Sequence, residues 1–65
     1  MRRETLQAVV DAVFALPEPY RTAIWQRFFE GQLPGVTAAR SGEPLATVKS
    51  RLQRALGMLR ERLDA

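Results

Sequence analysis

Residues 41–63, SGEPLATVKSRLQRALGMLRERL, join a turn signal to the longest uninterrupted helical pattern in the chain. Gly42 and Pro44 both disfavour a continuous helix, so a new helix is expected to begin near Leu45. At about 100° per residue, the apolar positions then share an arc of about 100°: Leu45, Val48, Leu52, Ala55, Leu56, Leu59 and Leu63. The opposite face is small and polar, with Lys49 and Arg51 at its edges: Ala46, Thr47, Ser50, Gln53, Arg54 and Gly57.

Earlier breakers divide the rest of the chain into three further helical pieces. Pro17 and Pro19 mark one junction, and Gly31 with Pro34 marks the next. The sequence predicts helices over about 2–16, 19–30, 36–41 and 45–63. It therefore predicts an all-α fold, a single compact four-helix domain over residues 1–65 with a C-terminal helix-turn-helix over about 35–57.

The first two pieces carry apolar stripes at helical spacing. In the first piece the stripe is Leu6, Val9, Val10, Val13 and Phe14. In the second it is Tyr20, Ala23, Ile24 and Phe28, with Trp25 and Phe29 beside it. We expect most of these aromatic side chains to lie in the core. Trp25 or Phe29, if exposed, would be available to a partner.

The composition excludes several classes of site. The chain has 65 residues and neither Cys nor His, so disulfides, Cys/His zinc sites and His-containing catalytic triads are ruled out. The seven acidic residues form no converging pair, and no phosphate-binding loop is present. We therefore expect no enzyme activity, no cofactor and no small-molecule substrate. No secretory or membrane-spanning segment is recognisable, so a cytoplasmic location without a membrane partner is expected.

The positive charge is concentrated in the second half of the chain. Residues 1–32 carry four basic and four acidic residues, whereas residues 33–65 carry six basic and three acidic ones. This asymmetry favours a polyanion-binding surface. The alternative is an ordinary solvated helix, although such a helix more often mixes Glu and Lys four residues apart.

A helix-turn-helix would place the start of the last helix in the major groove of DNA. Arg and Lys can pair with guanine, Gln can pair with adenine, and small residues allow close approach. The residues in this position are Ala46, Thr47, Lys49, Ser50, Gln53 and Arg54. From these features alone, an ordinary helical bundle remains an open alternative.

Three segments carry a family resemblance: LPEPYR at 16–21, RFFEG at 27–31 and TVKSRLQRAL at 47–56. Together with Leu59 and Arg60 they resemble region 4 of bacterial RNA polymerase sigma factors of the sigma-70 family. The similarity is greatest to the extracytoplasmic-function (ECF) group and extends over about residues 15–63.

The resemblance implies binding to the −35 element of double-stranded promoter DNA during transcription initiation. In the family, the DNA contacts come from the positions of Lys49, Ser50, Arg51, Gln53 and Arg54. With Thr47 from the groove argument, the candidate DNA-binding residues are Thr47, Lys49, Ser50, Arg51, Gln53 and Arg54. The resemblance also implies docking on the β flap of RNA polymerase core, through the first two helices, and a possible anti-sigma partner. The alternative function is a protein-interaction module with little DNA affinity, including a self-associating form.

The sequence departs from the family pattern in the third piece. Thr37, Ser41 and Glu43 stand where the family usually has apolar residues, and Pro34-Gly35 replaces residues that are often charged. We expect either a tilted, looser helix in which Val36 takes part of the core role, or hydroxyls bonded to nearby backbone carbonyls. The part of a sigma factor that reads the −10 element is missing, so we expect a detached region 4 that could not direct initiation alone.

Overall fold

The computed structural model of this protein describes residues 2–64. Within that range the chain forms four helices and no strand, which confirms the all-α prediction. They are α1 (Arg3–Phe14), α2 (Tyr20–Ile24, continued by a π-helical segment, Trp25–Phe29), α3 (Pro34–Ser41) and α4 (Leu45–Asp64). Met1 and Ala65, the ends of the predicted 1–65 domain, lie outside the described residues.

Helix boundaries follow from the prolines and from one glycine. α1 ends at Phe14, before the expected residue 16, because Pro17 disfavours helical geometry in the residue that precedes it. α3 begins at Pro34 rather than at residue 36, because proline fits the first helical position, where its missing N–H is not needed. α3 ends at Ser41, because the next residue, Gly42, has a φ of 72°, the left-handed conformation that glycine adopts readily.

The core lies where α4 crosses the first two helices. Its central residues are buried: Val13, Leu16, Ile24 and Ala55. Half-buried side chains pack around them: Val9, Tyr20, Leu52, Met58 and Leu59. Ala55 is fully buried. Because its side chain is only a methyl group, α4 packs closely against the neighbouring helices at this point. This packing turns the opposite face of α4 to solvent.

Three of the four aromatic residues of the second helix lie outside the core, contrary to the expectation for most of them. Trp25, Phe28 and Phe29 are 38%, 54% and 42% exposed. The reason is the π-helical segment, in which the Glu30 N–H bonds to the Trp25 carbonyl, five residues back. A π turn rotates less per residue than an α turn, so the α-helical stripe that includes Ile24 does not continue to Phe28.

The stripe of α1 is also only partly buried. Val13 is in the core, but Leu6 and Phe14, which the pattern places on the same face, are both exposed. The buried residues of α1, Ala12 and Val13, both lie in its last turn, so full burial is confined to one side of the C-terminal end of this helix. Within residues 2–64, no helix has the length and apolar character needed to cross a membrane.

Candidate nucleic-acid interface

The outer face of α4 presents the candidate residues to solvent. Five of the six are exposed: Thr47, Lys49, Ser50, Gln53 and Arg54. Arg51 is half-buried, at the edge of this face. The face exists because Val48 and Ala55 are buried on the other side of the helix, which fixes the rotation of α4 about its axis. The first three turns thus carry small and polar side chains with cations among them.

Arg51 is bound to the turn that precedes its helix. Two guanidinium nitrogens, Nη1 and Nη2, donate to the two carboxylate oxygens of Glu43 at 3.0 and 2.6 Å. This bidentate pair connects the α3–α4 turn to the second turn of α4. Hydrogen bonding from Arg51 lowers the pKa of the Glu43 carboxyl, and Glu43 raises the pKa of Arg51. Arg51 therefore has a structural contact within the motif.

The polar residues of α3 are satisfied by local hydrogen bonds. The hydroxyl of Thr37 donates to the Leu33 carbonyl at 3.4 Å, and that of Ser41 donates to the Ala38 carbonyl at 3.5 Å. This is the second of the two expected solutions. Val36 does not take a core role, because it is 42% exposed, and Ala38 is buried instead. No buried side-chain nitrogen or oxygen among residues 2–64 lacks a hydrogen-bond partner.

Gln32, two residues before α3, is hydrogen-bonded to the middle and to the last turn of that helix. Its amide Nε2 donates to the Thr37 hydroxyl at 2.7 Å, and its Oε1 accepts from Arg40 Nη1 at 3.2 Å. A helix of eight residues is marginal by itself. These bonds, together with packing of α3 against α4, hold α3 in the first position of the helix-turn-helix.

Tyr20 reaches the same face from α2, a contact that the helical pattern of the sequence does not predict. Arg54 Nη1 donates to the Tyr20 hydroxyl oxygen at 3.3 Å. This hydrogen bond also raises the pKa of Arg54. The helical pattern placed Tyr20 in an apolar stripe. Only its hydroxyl, a polar group in that stripe, indicated that the side chain could also make a polar contact.

Comparison with known families identifies the fold that carries this face. A family model described as sigma-70, region 4 matches residues 6–59. The chain belongs to this family. The matched range includes the helix-turn-helix of the region 4 domain and all six candidate residues. No curated protein and no solved structure matches the chain.

Two cations on the outer face of the region 4 domain have no carboxylate partner among the described residues. Among the residues that the structure describes, Lys49 and Arg54 form no salt bridge, whereas Arg51 pairs with Glu43 and Arg21 with Glu18. The same described range contains no group of acidic side chains that could hold a metal ion. The chemistry of the face is hydrogen-bond donation and positive charge, which suits an anionic partner.

Proposed function

We propose that this sigma-70 region 4 domain binds the −35 promoter element, as part of an ECF-type sigma factor acting in the cytoplasm. The observation that carries the proposal is the exposed face of α4, which follows the turn of the helix-turn-helix. On this face Lys49 and Arg54, which form no salt bridge within residues 2–64, lie among small polar side chains. Family membership supports the same function, since region 4 is a DNA-binding regulatory domain rather than an enzyme family.

The residue types suggest a division of roles on the DNA. The Arg54 guanidinium can pair with the O6 and N7 atoms of a guanine, and the Gln53 amide can pair with an adenine. Lys49, at the edge, suits a phosphate, and Thr47 and Ser50 suit a phosphate or a base edge. Arg51 would reach the DNA backbone only by sharing or leaving Glu43.

DNA titration tests this function directly. We expect the 65-residue domain to bind a promoter-like duplex weakly, with log affinity falling linearly with log salt. Arg54→Ala is expected to relax preference at one base pair, whereas Lys49→Ala is expected to weaken binding to all sequences alike. Selection of bound duplexes from a random pool would identify the preferred site. Absence of binding to any duplex at about 50 mM salt would contradict the proposal.

A second function is favoured by the exposed aromatic side chains, which we call the aromatic cluster: Phe14, Trp25 and Phe29. The Trp25 and Phe29 rings are stacked, with centroids 4.6 Å apart, and Phe14 lies 5.7 Å from Trp25. Ordered aromatic surface of this kind is typical of protein–protein contacts. We propose that this cluster docks on the RNA polymerase β flap or on an anti-sigma factor.

Chemical-shift mapping separates the two functions. A −35-type duplex is expected to shift the amides of Ser50 and Arg54, and a β-flap fragment those around Trp25. Trp25→Ala is then expected to weaken flap binding and leave DNA binding unchanged, with Arg54→Ala as the reciprocal control. Shifts confined to the aromatic cluster, with none from DNA, would favour an interaction module.

A further inference from the structure

Tyr20 connects the core to the outer face of α4. It is the first residue of α2, placed there by the turn in which its N–H bonds to the Pro17 carbonyl. Its ring packs against the buried cluster that contains Ile24 and Ala55. Its hydroxyl accepts the hydrogen bond from Arg54, which lies 34 residues further along the chain. One side chain thus has a fixed base in the core and a polar tip among the candidate DNA contacts.

The contact lies along an open groove between the start of α2 and α4. This groove has a volume of about 480 Å³, and Pro19 and Tyr20 form the wall that α2 contributes. Ala46 and Ser50 line it from α4, and the small size of these side chains leaves the space open. Arg54 is at its edge, so the Tyr20 hydroxyl acts on the guanidinium from within the interface.

We propose that Tyr20 is a positioning residue for base recognition: its hydroxyl holds the Arg54 guanidinium in the orientation that reads a base pair. This inference rests on the proposed DNA-binding function. An exposed arginine has many rotamers, and bidentate pairing with a guanine requires one orientation of a planar fork. Holding the fork before DNA arrives reduces the ordering that binding must supply.

The hydrogen bond leaves enough donors for the DNA. A guanidinium has five N–H groups, and the Tyr20 oxygen occupies one of them. The tyrosine O–H proton remains free, because the hydroxyl acts as acceptor in this contact. It can donate to a phosphate oxygen beside the base that Arg54 reads. The recognition of that base pair therefore depends on two helices.

Tyr20→Phe is the decisive variant, because it removes the hydroxyl and keeps the ring in the core. We would measure the affinity of the full chain for its preferred duplex and for duplexes altered at each base pair. The wild-type domain is expected to discriminate by roughly 5- to 150-fold at the Arg54 base pair. Tyr20→Phe is expected to reduce that discrimination by about three- to tenfold. It removes no charge, so the slope of log affinity against log salt is expected to stay unchanged.

A double-mutant cycle shows whether the effect passes through Arg54. Tyr20→Phe is expected to add nothing to Arg54→Ala. Thr5→Val, which removes a hydroxyl from α1, is the matched control and is expected to leave base preference unchanged. In the free domain, NMR relaxation of the Arg54 side chain is expected to report greater mobility in Tyr20→Phe.

The outcomes separate this inference from the function on which it rests. Equal discrimination by the wild-type domain and Tyr20→Phe would overturn the positioning role and leave DNA binding intact. Additive effects of the two substitutions would also overturn it. If the wild-type domain bound no duplex, both the function and the inference would fail.

Discussion

Two glutamates hold the starts of helices in this domain. The Glu18 carboxylate accepts hydrogen bonds from the backbone N–H and the hydroxyl of Thr22, at the first turn of α2. The Glu43 carboxylate accepts two from Arg51, at the second turn of α4. These bonds lower the pKa of both carboxyls. The ionised form of each glutamate is therefore the form that stabilises the fold.

Glu43→Gln tests this role through the pH dependence of stability. A carboxyl whose pKa is lowered by folding contributes stability above its unfolded pKa, about 4.3, and loses it as pH falls through the folded value. We expect the melting temperature of the wild-type domain to decrease as the pH is lowered below about 4.3. The Glu43→Gln variant is expected to have a lower melting temperature at pH 7, and its melting temperature is expected to change less when the pH is lowered. Circular dichroism measures both. Glu61→Gln is the control on α4, and identical acid curves for all three proteins would contradict this role.

The same substitution has an expected effect on DNA binding. Without the Glu43 carboxylate, the Arg51 guanidinium is free to contact a phosphate. We expect Glu43→Gln to raise affinity for all duplexes and to steepen the salt dependence of log affinity by about one unit. Fluorescence anisotropy at several salt concentrations measures both quantities. An unchanged slope would show that Arg51 stays outside the interface even when unpaired.

The stability of each helix of the helix-turn-helix depends on more than the spacing of its apolar residues. α3 has eight residues and little apolar surface, and it is held by Pro34 at its start, the Gln32 bonds and Gly42 at its end. α4 has 20 residues and so a longer apolar pattern, but Gly57 on its exposed side lowers its helix propensity. These two glycines therefore have opposite effects on stability.

Substitution by alanine separates the roles of the two glycines. At both positions an added Cβ would meet no heavy atom within 4 Å, so backbone conformation decides the result. Gly42→Ala is expected to destabilise the domain by about 1–2 kcal/mol, since an L-residue resists positive φ. Gly57→Ala is expected to stabilise it by up to about 1 kcal/mol. Urea unfolding measures both, and equal signs for the two changes would contradict this reasoning.

The whole molecule rests on a thin core. Among residues 2–64, three of the seven buried hydrophobic residues are alanines: Ala12, Ala38 and Ala55. A domain of this length has a total stability of about 3–10 kcal/mol. The few larger buried side chains, such as Ile24, therefore account for much of the margin between folded and unfolded chains. Because α4 supplies both the core contacts and the candidate DNA face, loss of packing would also remove the interface.

Ile24→Ala is expected to bring the domain close to unfolding. Ile24 is 1% exposed, and the truncation of a buried isoleucine to alanine costs about 2–5 kcal/mol. Urea unfolding followed by circular dichroism measures the loss. Leu33→Ala is the matched control, because Leu33 is 59% exposed and we expect a change within about 0.5 kcal/mol. Similar losses in both variants would contradict the description of the core.

The helices could be predicted from the sequence because their signals are local. The prolines, the Gly42 turn and the apolar spacing of residues 45–63 predict helices, because these signals act over one or two turns. The face of α4 followed from the same periodicity, as Val48 and Ala55 illustrate. Its role as the DNA contact stays a prediction.

Other features were decided only by tertiary structure. The π-helical segment turns Phe28 to solvent, although its spacing favoured the core. The pairing of Glu43 with Arg51 spans eight residues, and the Tyr20–Arg54 contact spans 34. The first contact depends on how the α3–α4 turn folds against α4, and the second on how α2 and α4 cross. Both geometries are set by the packing of all core side chains together. The sequence by itself determined which helices form, and the tertiary structure decided which polar groups meet on their surfaces.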